Sequence, residues 1–74
     1  MKKFFDGLAE IFEIEPNEVS VSLPLASVAW DSLAIVSTIA LIDEQFDVMV
    51  DGQALASCET VGDIQKLITL AKNG

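Results

Sequence analysis

The sequence predicts an all-α fold, a small four-helix bundle with three longer helices, one short helix and a long loop between the first two. Apolar residues recur at helical spacing in three segments of the chain. The one segment that alternates like a β-strand, "VSVSL" at residues 19–23, is short and has no partner segment. An apolar share of 51% is enough for a packed core. The 74 residues are expected to form a single domain spanning residues 1–74.

The first helix is predicted over residues 2 to about 14, and a long connection follows it. Its apolar face consists of Phe4, Phe5, Leu8, Ile11 and Phe12. Pro16 ends the helix, because proline lacks an amide proton and disfavours helical backbone in the residue before it. The connection from Glu15 to Asp31 is longer than most loops in compact domains, so it is either functional or held to the fold by its own apolar side chains. Those available for this are Val19, Val21, Leu23, Leu25 and Val28.

The second helix is predicted to begin at Asp31 or Ser32 and to end near Phe46. Its expected core face consists of Ile35, Ile39, Ile42 and Phe46. A second stripe, on the opposite side of the helix, consists of Leu33, Ser37, Ala40 and Glu44. Leu33 is therefore expected to point away from the core, directly after Ser32. The stripe indicates a contact surface for partners, although single exposed leucines are also common on surfaces without that role.

Two more helices are predicted in the second half of the chain. Residues 53–57 are enough for one short turn of helix after "DVMVDG". The last helix follows Thr60, which is expected to be its N-cap, with Asp63 in position to complete a capping box. Its apolar face consists of Val61, Ile64, Leu67, Ile68 and Ala71.

Charge and composition exclude several functions. Twelve acidic and four basic residues give a net charge of −8, which repels nucleic acids and anionic membranes and favours partners with basic patches. No apolar segment reaches the roughly 18 residues that a membrane span needs. The acids Asp6, Glu10 and Glu13 interrupt the amino-terminal apolar segment, so it is not expected to be a signal peptide. A single cysteine, Cys58, allows no internal disulfide, as is typical of a cytoplasmic protein.

Ser32 has three interpretations from the residues alone. As an N-cap it would accept hydrogen bonds from the first amides of the helix. As a nucleophile it would need a base, but the sequence contains no histidine for a catalytic triad. As the acceptor of a phosphate ester it is well placed, because a helix amino terminus presents free amides and a positive dipole end. The local pattern favours the cap.

The sequence around Ser32 resembles the acyl carrier protein family. Asp31-Ser32-Leu33 matches the family signature at the start of its second helix. The segment "IDEQF" at residues 42–46 resembles the family's Leu-Glu-Glu-Glu-Phe segment, and "ETVGDI" at residues 59–64 resembles the start of its last helix. Length, acidity and the long first loop also agree, so the resemblance covers nearly the whole chain.

This resemblance implies a carrier domain in the cytoplasm that is not itself an enzyme and is expected to be a monomer. In such a carrier Ser32 receives 4′-phosphopantetheine from coenzyme A through a Mg²⁺-dependent phosphopantetheinyl transferase. The thiol of that arm holds an acyl group as a thioester for further partners, namely an acyl-loading ligase or acyltransferase and the downstream synthase enzymes. Two alternatives stay open: an aminoacyl or peptidyl carrier, and a helical adaptor that is never modified.

The departures from the family pattern concern recognition. The usual Gly two residues before the Asp is Ala29, and Trp30 follows it, either packed on the fold or contacting the arm or a partner. Carriers of fatty-acid synthesis usually have acids at the positions of Ala34 and Ser37, so partners in a specialised pathway are expected. Similar carriers serve cell-surface polysaccharide or lipid pathways, or secondary metabolism. The expected recognition residues are Trp30, Asp31, Leu33, Ser37, Ala40 and Glu44.

Two further expectations concern Cys58 and the acids. Cys58 stands where the family usually has Ile or Leu, so it is interpreted as a small buried hydrophobe. Glu59 beside it disfavours a reactive thiolate. No metal site is expected, although Asp43, Asp47 and Asp51 allow weak contacts with divalent cations.

Overall fold

The computed structural model describes residues 2–73 and contains four α-helices. They are Lys2–Phe12 (α1), Ser32–Phe46 (α2), Gly52–Ala56 (α3) and Val61–Asn73 (α4). Two short 3₁₀ turns, Pro16–Glu18 and Leu25–Ser27, interrupt the loop between α1 and α2. Residues 2–73 form no strand, and a single isolated bridge joins Pro24 to Thr60. The predicted four-helix fold, with three longer helices and one short one, is confirmed.

The helices enclose one apolar cluster. α2 contacts α1, α3 and α4, so it is the central element of the bundle. The buried members of the cluster are Phe4, Leu8, Ala9, Phe12, Val19, Leu25, Ile42, Leu55, Val61, Ile64 and Ile68. Burial of these side chains is the main source of stability in a chain of this size.

α1 ends earlier than expected, at Phe12, because a local capping motif stops it before Pro16. The amide of Ile14 donates to the carbonyl of Ala9 at 3.0 Å, and the amide of Glu13 donates to the carbonyl of Glu10 at 3.3 Å. This is the pattern of a Schellman cap. Glu13 takes the left-handed conformation that the motif requires, with φ of 59°, at a position that glycine usually occupies.

The predicted core face of α2 is confirmed in part. All four of its residues belong to the core cluster or pack against it, but the most deeply buried row of the helix lies to one side of them. The fully or nearly buried residues are Ala34, Thr38 and Ile42, whereas Ile35, Ile39 and Phe46 are only partly buried. The reason is that α2 has a neighbouring helix on each side, so the buried part of its surface is wide. The side chains of Ala34 and Thr38, in the middle of that surface, are small enough for the helices to pack closely. The hydroxyl of Thr38 is satisfied in this core, since it donates to the carbonyl of Ala34 at 2.8 Å.

The long loop is held to the fold by its backbone as well as by its side chains. The amides of Val61 and Gly62, at the start of α4, donate to the carbonyls of Leu23 (3.2 Å) and Val21 (2.8 Å). The first amides of a helix have no partner within the helix, so the loop satisfies two of them. Leu25 is buried and donates its amide to the carbonyl of Glu59 at 2.8 Å. Val21, expected to help hold the loop through its side chain, is 56% exposed instead.

The capping box at the start of α4 is present. The amide of Asp63 donates to Oγ1 of Thr60 at 3.3 Å, and the amide of Thr60 donates to Oδ2 of Asp63 at 3.3 Å. The same carboxylate oxygen accepts a third bond, from the amide of Glu59 at 3.0 Å. These bonds, that of Glu59 above all, lower the pKa of Asp63, and the positive charge of Lys66 adds to the effect.

Candidate functional site

The amino terminus of α2 is capped by Asp31, not by Ser32. The side chain of Asp31 accepts a hydrogen bond from the amide of Ala34 at 2.9 Å. Ser32 is the first residue of the helix and is exposed. None of the hydrogen bonds among residues 2–73 involves the Ser32 hydroxyl. The interpretation of Ser32 as an N-cap is therefore wrong, and its hydroxyl faces solvent without a structural task.

Trp30 packs on the fold and holds the chain just before Ser32. Its indole Nε1 donates to the carbonyl of Leu55, in α3, at 3.3 Å. Its ring meets the ring of Phe12, in α1, edge to face, with centroids 5.9 Å apart and an interplanar angle of 78°. Because α1 and α3 both contact this one side chain, the start of α2 has a fixed place between them.

A cavity of about 540 Å³ lies between the long loop and the connection from α3 to α4. It is lined by Pro24, Leu25, Ala26, Val28, Trp30, Cys58, Glu59 and Thr60. Cys58 is half-buried, and its thiol donates to the carbonyl of Ala54 at 3.5 Å. Burial, together with the negative charge of Asp63, raises the pKa of the Cys58 thiol. The thiol thus stays protonated near neutral pH, in an environment unlike that of reactive cysteines.

The second stripe of α2 lies beside α1. Leu33 is 75% exposed, Ala40 and Glu44 are exposed, and Ser37 is half-buried. Asp31, Leu33 and Ser37 line one depression against α1, and Ser37, Ala40 and Glu44 line the next one along the helix. Trp30 lines neither depression, so the structure separates it from the other five expected recognition residues.

The sequence did not indicate that α1 takes part in this surface. Gly7, Glu10, Ile11 and Glu13 line the same two depressions from the α1 side. Three of these four residues lie outside the apolar pattern that predicted α1, and a helical pattern does not say which helix will be its neighbour. The sequence also did not single out Val36, a second large apolar residue of α2 that is 62% exposed.

The acids in the last turn of α2 and in the segment after it are exposed. Asp47 is the C-cap of α2, in the left-handed conformation with φ of 56°, and Asp43 and Asp51 are exposed near it in the chain. Within residues 2–73 no group of three or more His, Cys, Asp or Glu side chains is arranged to hold a metal ion. No helix in the same range is both long and apolar enough to cross a membrane.

Comparison with models of known protein families gives a match over most of the chain. A family model described as "Phosphopantetheine attachment site" matches residues 3–68, a stretch that runs from α1 into the last helix. No solved structure matches the chain significantly. Members of the matched family carry a covalently attached 4′-phosphopantetheine, and they interact with the enzymes that modify them and with synthases. The match covers most of the chain, which therefore belongs to this family of phosphopantetheine-bearing carrier proteins.

Proposed function

We propose that the protein is an acyl carrier protein whose arm is attached to Ser32. Residues 1–74 act as one carrier domain without catalytic activity, in the cytoplasm and as a monomer. The observation that carries this proposal is that Ser32 is exposed and that its hydroxyl does not cap the helix. Ser32 is the first residue of α2, and the cap next to it is supplied by Asp31. A transferase can therefore modify Ser32 without breaking a bond that holds the helix.

The surroundings of Ser32 suit a phosphodiester. No backbone hydrogen bond from the amides of Ser32 or Leu33 occurs among residues 2–73. The amino terminus of a helix carries partial positive charge, so an anion there is stabilised. Trp30, held by Phe12 and Leu55, keeps this end of α2 in place. The arm supplies a thiol that holds acyl groups as thioesters, and its tether raises their effective concentration near a partner enzyme.

The pathway is proposed to be a specialised one, for cell-surface polysaccharide or lipid or for a secondary metabolite. Support comes from Ser37, a neutral residue on the stripe of α2 where fatty-acid carriers usually have an acid. Ala34, the other neutral position, gives no such support, because it is only 5% exposed and packs on the fold. An acid at position 34 would be buried, so its absence reflects packing. The partners are then a phosphopantetheinyl transferase, an acyl-loading ligase or acyltransferase, and dedicated synthases.

The proposal is tested by modification in vitro. Purified protein incubated with coenzyme A, Mg²⁺ and a broad-specificity phosphopantetheinyl transferase should gain the mass of one phosphopantetheine group. Ser32→Ala should gain none while keeping its helical circular dichroism spectrum, because Asp31 and not Ser32 caps the helix. Ser20→Ala, at an exposed serine of the long loop that lines neither depression, is the matched control and should be modified like the native chain. Modification at another residue, or of no residue by several transferases, contradicts the proposal.

A further inference from the structure

A continuous groove runs between α1 and α2 on the side of the molecule that presents the second stripe. It consists of two depressions of about 140 Å³ and about 380 Å³. Ile11 of α1 and Ser37 of α2 line both, so the depressions are joined. The groove follows α2 from Leu33 to Glu44, a rise of about 16 Å. That distance is the length of three turns of helix.

Small residues make the groove. α1 and α2 approach closely at Gly7, where an added Cβ would lie only 2.7 Å from Cδ1 of Leu41. Ala29 and Ala40 also line the groove and leave it unfilled. The side chains of Ile11 and Leu41 form an apolar strip within the groove. The helices are therefore in contact beneath the groove, while their upper edges leave room for another element.

The polar residues that line the groove are almost all acidic. Glu10 and Glu13 belong to the α1 side, and Asp31 and Glu44 belong to the α2 side. No lysine lines either depression. An apolar strip between two rows of carboxylates is complementary to an amphipathic helix with basic residues on both sides of an apolar stripe.

Glu13 occupies a position where both the backbone conformation and the helix dipole disfavour its side chain. It holds the left-handed conformation of the α1 cap, with φ of 59°, where glycine avoids a steric cost. Its negative charge also lies at the negative end of the helix dipole. Stability alone favours glycine at this position. The side chain that is there instead lines the groove.

We infer that, given the carrier function proposed above, this groove is the docking site for a basic amphipathic helix of a partner enzyme, and that recognition uses α1 as well as α2. A helix docked here lies beside Asp31 and Leu33, which flank Ser32 in sequence. Leu33, 75% exposed, is the apolar anchor at that end. The docked enzyme therefore meets the carrier next to the residue proposed to bear the arm.

The probe for the test is a synthetic helical peptide of about twelve residues, with leucines on one face and lysines on both sides of that face. Titrated into isotope-labelled protein, it should shift the amide resonances of residues 7–13 and 33–44 and leave those of α4 unchanged. The double variant Glu10→Gln with Glu13→Gly should bind it at least about fivefold more weakly, with a smaller dependence on salt, because two rim charges are lost.

A charge-matched control separates the groove from general acidity. Asp51→Asn with Glu59→Gln removes the same two charges from exposed sites at the start of α3 and in the connection from α3 to α4, which line neither depression. It should change the affinity by less than about twofold, as expected for charges distant from the contact. Glu13→Gly alone should raise the denaturation midpoint, so weaker binding in that variant does not reflect unfolding.

The remaining outcomes decide between this inference and the proposed function. Shifts that map to α3 or α4, or equal losses of affinity in the groove pair and the control pair, overturn the docking site. They do so even when the transferase modifies Ser32 normally, in which case the carrier function stands. Failure of Ser32 modification with intact peptide binding in the groove overturns the carrier function instead.

Discussion

At the scale of single residues, Trp30 decides how the start of α2 is presented. It is one of the residues expected at a recognition surface, yet its indole bonds to the carbonyl of Leu55 and its ring packs on Phe12. Leu33, three positions later, is by contrast exposed to solvent. Two large apolar side chains on either side of Ser32 therefore act differently, one as an anchor on the fold and one as exposed surface.

Trp30 substitutions should reveal this anchor. Trp30→Phe keeps an aromatic ring against Phe12 but loses the bond to Leu55, so we expect a loss of about 1 kcal/mol in the free energy of unfolding. Trp30→Ala also removes the ring and should lose about 3 kcal/mol. Leu33→Ala is the control, and its effect should stay within about 0.5 kcal/mol because the side chain is exposed. Urea unfolding measures all three. Equal effects of Trp30→Ala and Leu33→Ala would mean that the indole does not stabilise the fold.

At the scale of elements, the start of α4 organises the long loop. Two of its amides bind loop carbonyls, and two side chains close the capping box. Gly62 makes this approach possible, since an added Cβ would lie 2.8 Å from Cγ1 of Val21 and 3.1 Å from its carbonyl oxygen. The loop that leads to Ser32 is thus positioned by a helix that lies much later in the chain.

The capping box should give stability a specific pH dependence. The pKa of Asp63 is lowered in the fold, chiefly by the amide of Glu59. The carboxylate therefore contributes stability that is fully present above the ordinary Asp pKa of about 3.9 and is lost as pH falls through its lower folded value. Asp63→Asn should lower the thermal midpoint at pH 6, and the difference from the native chain should shrink below about pH 4. A difference that is constant from pH 6 to pH 2.5 would contradict this assignment.

At the scale of the whole molecule, three of the four lysines lie near the carboxyl end of α2. The bond from Gln45 to the carbonyl of Lys3, together with the contact of Phe4 with Phe46, brings the start of α1 beside the end of α2. Lys72 lies over the Phe46 ring, 5.8 Å from its centroid, so it belongs to the same end. Ser32 lies at the opposite end of α2, beside the acids Asp31 and Glu13. The acids at the carboxyl end of α2 are offset in part by these lysines, whereas the depression beside Ser32 is lined by acids and by no lysine. A basic partner therefore meets less positive charge at the end that presents Ser32.

Unpaired acids should make stability depend on salt. The one ion pair among residues 2–73 joins Lys2 to Asp6 at 3.6 Å, so a net charge of −8 is left largely uncompensated. Moderate NaCl should raise the thermal midpoint of the unmodified protein by screening this repulsion. Millimolar Mg²⁺ should act at lower ionic strength, because neighbouring carboxylates can share a hard cation.

Asp47→Asn provides the matched variant for this experiment. It should weaken the Mg²⁺ response and leave the NaCl response, and it should raise the midpoint in low salt because it removes a negative charge from the carboxyl end of α2. Asparagine also tolerates the left-handed backbone at this position. A midpoint that does not rise in either titration would mean that the acids are too well solvated to oppose folding.

The sequence by itself determined the features that depend on near neighbours in the chain. The helical spacing of apolar residues located the three longer helices, and the spacing of Thr60 and Asp63 located the capping box, since both depend on contacts within one helical turn. The Asp31-Ser32-Leu33 motif and its context indicated the carrier family, which the family match from residue 3 to 68 shows.

Only the tertiary structure decided which faces are buried and which neighbours share a surface. Thr38 is buried because α2 is packed on more than one side, and Ser32 is free because Asp31 takes the cap. The loop is held through backbone carbonyls, which every sequence possesses and no side-chain pattern marks. The groove joins Glu10 and Glu13 to a stripe of α2 that follows some twenty residues later. Helical periodicity states that a face exists, but the packing of one helix on another determines what that face meets.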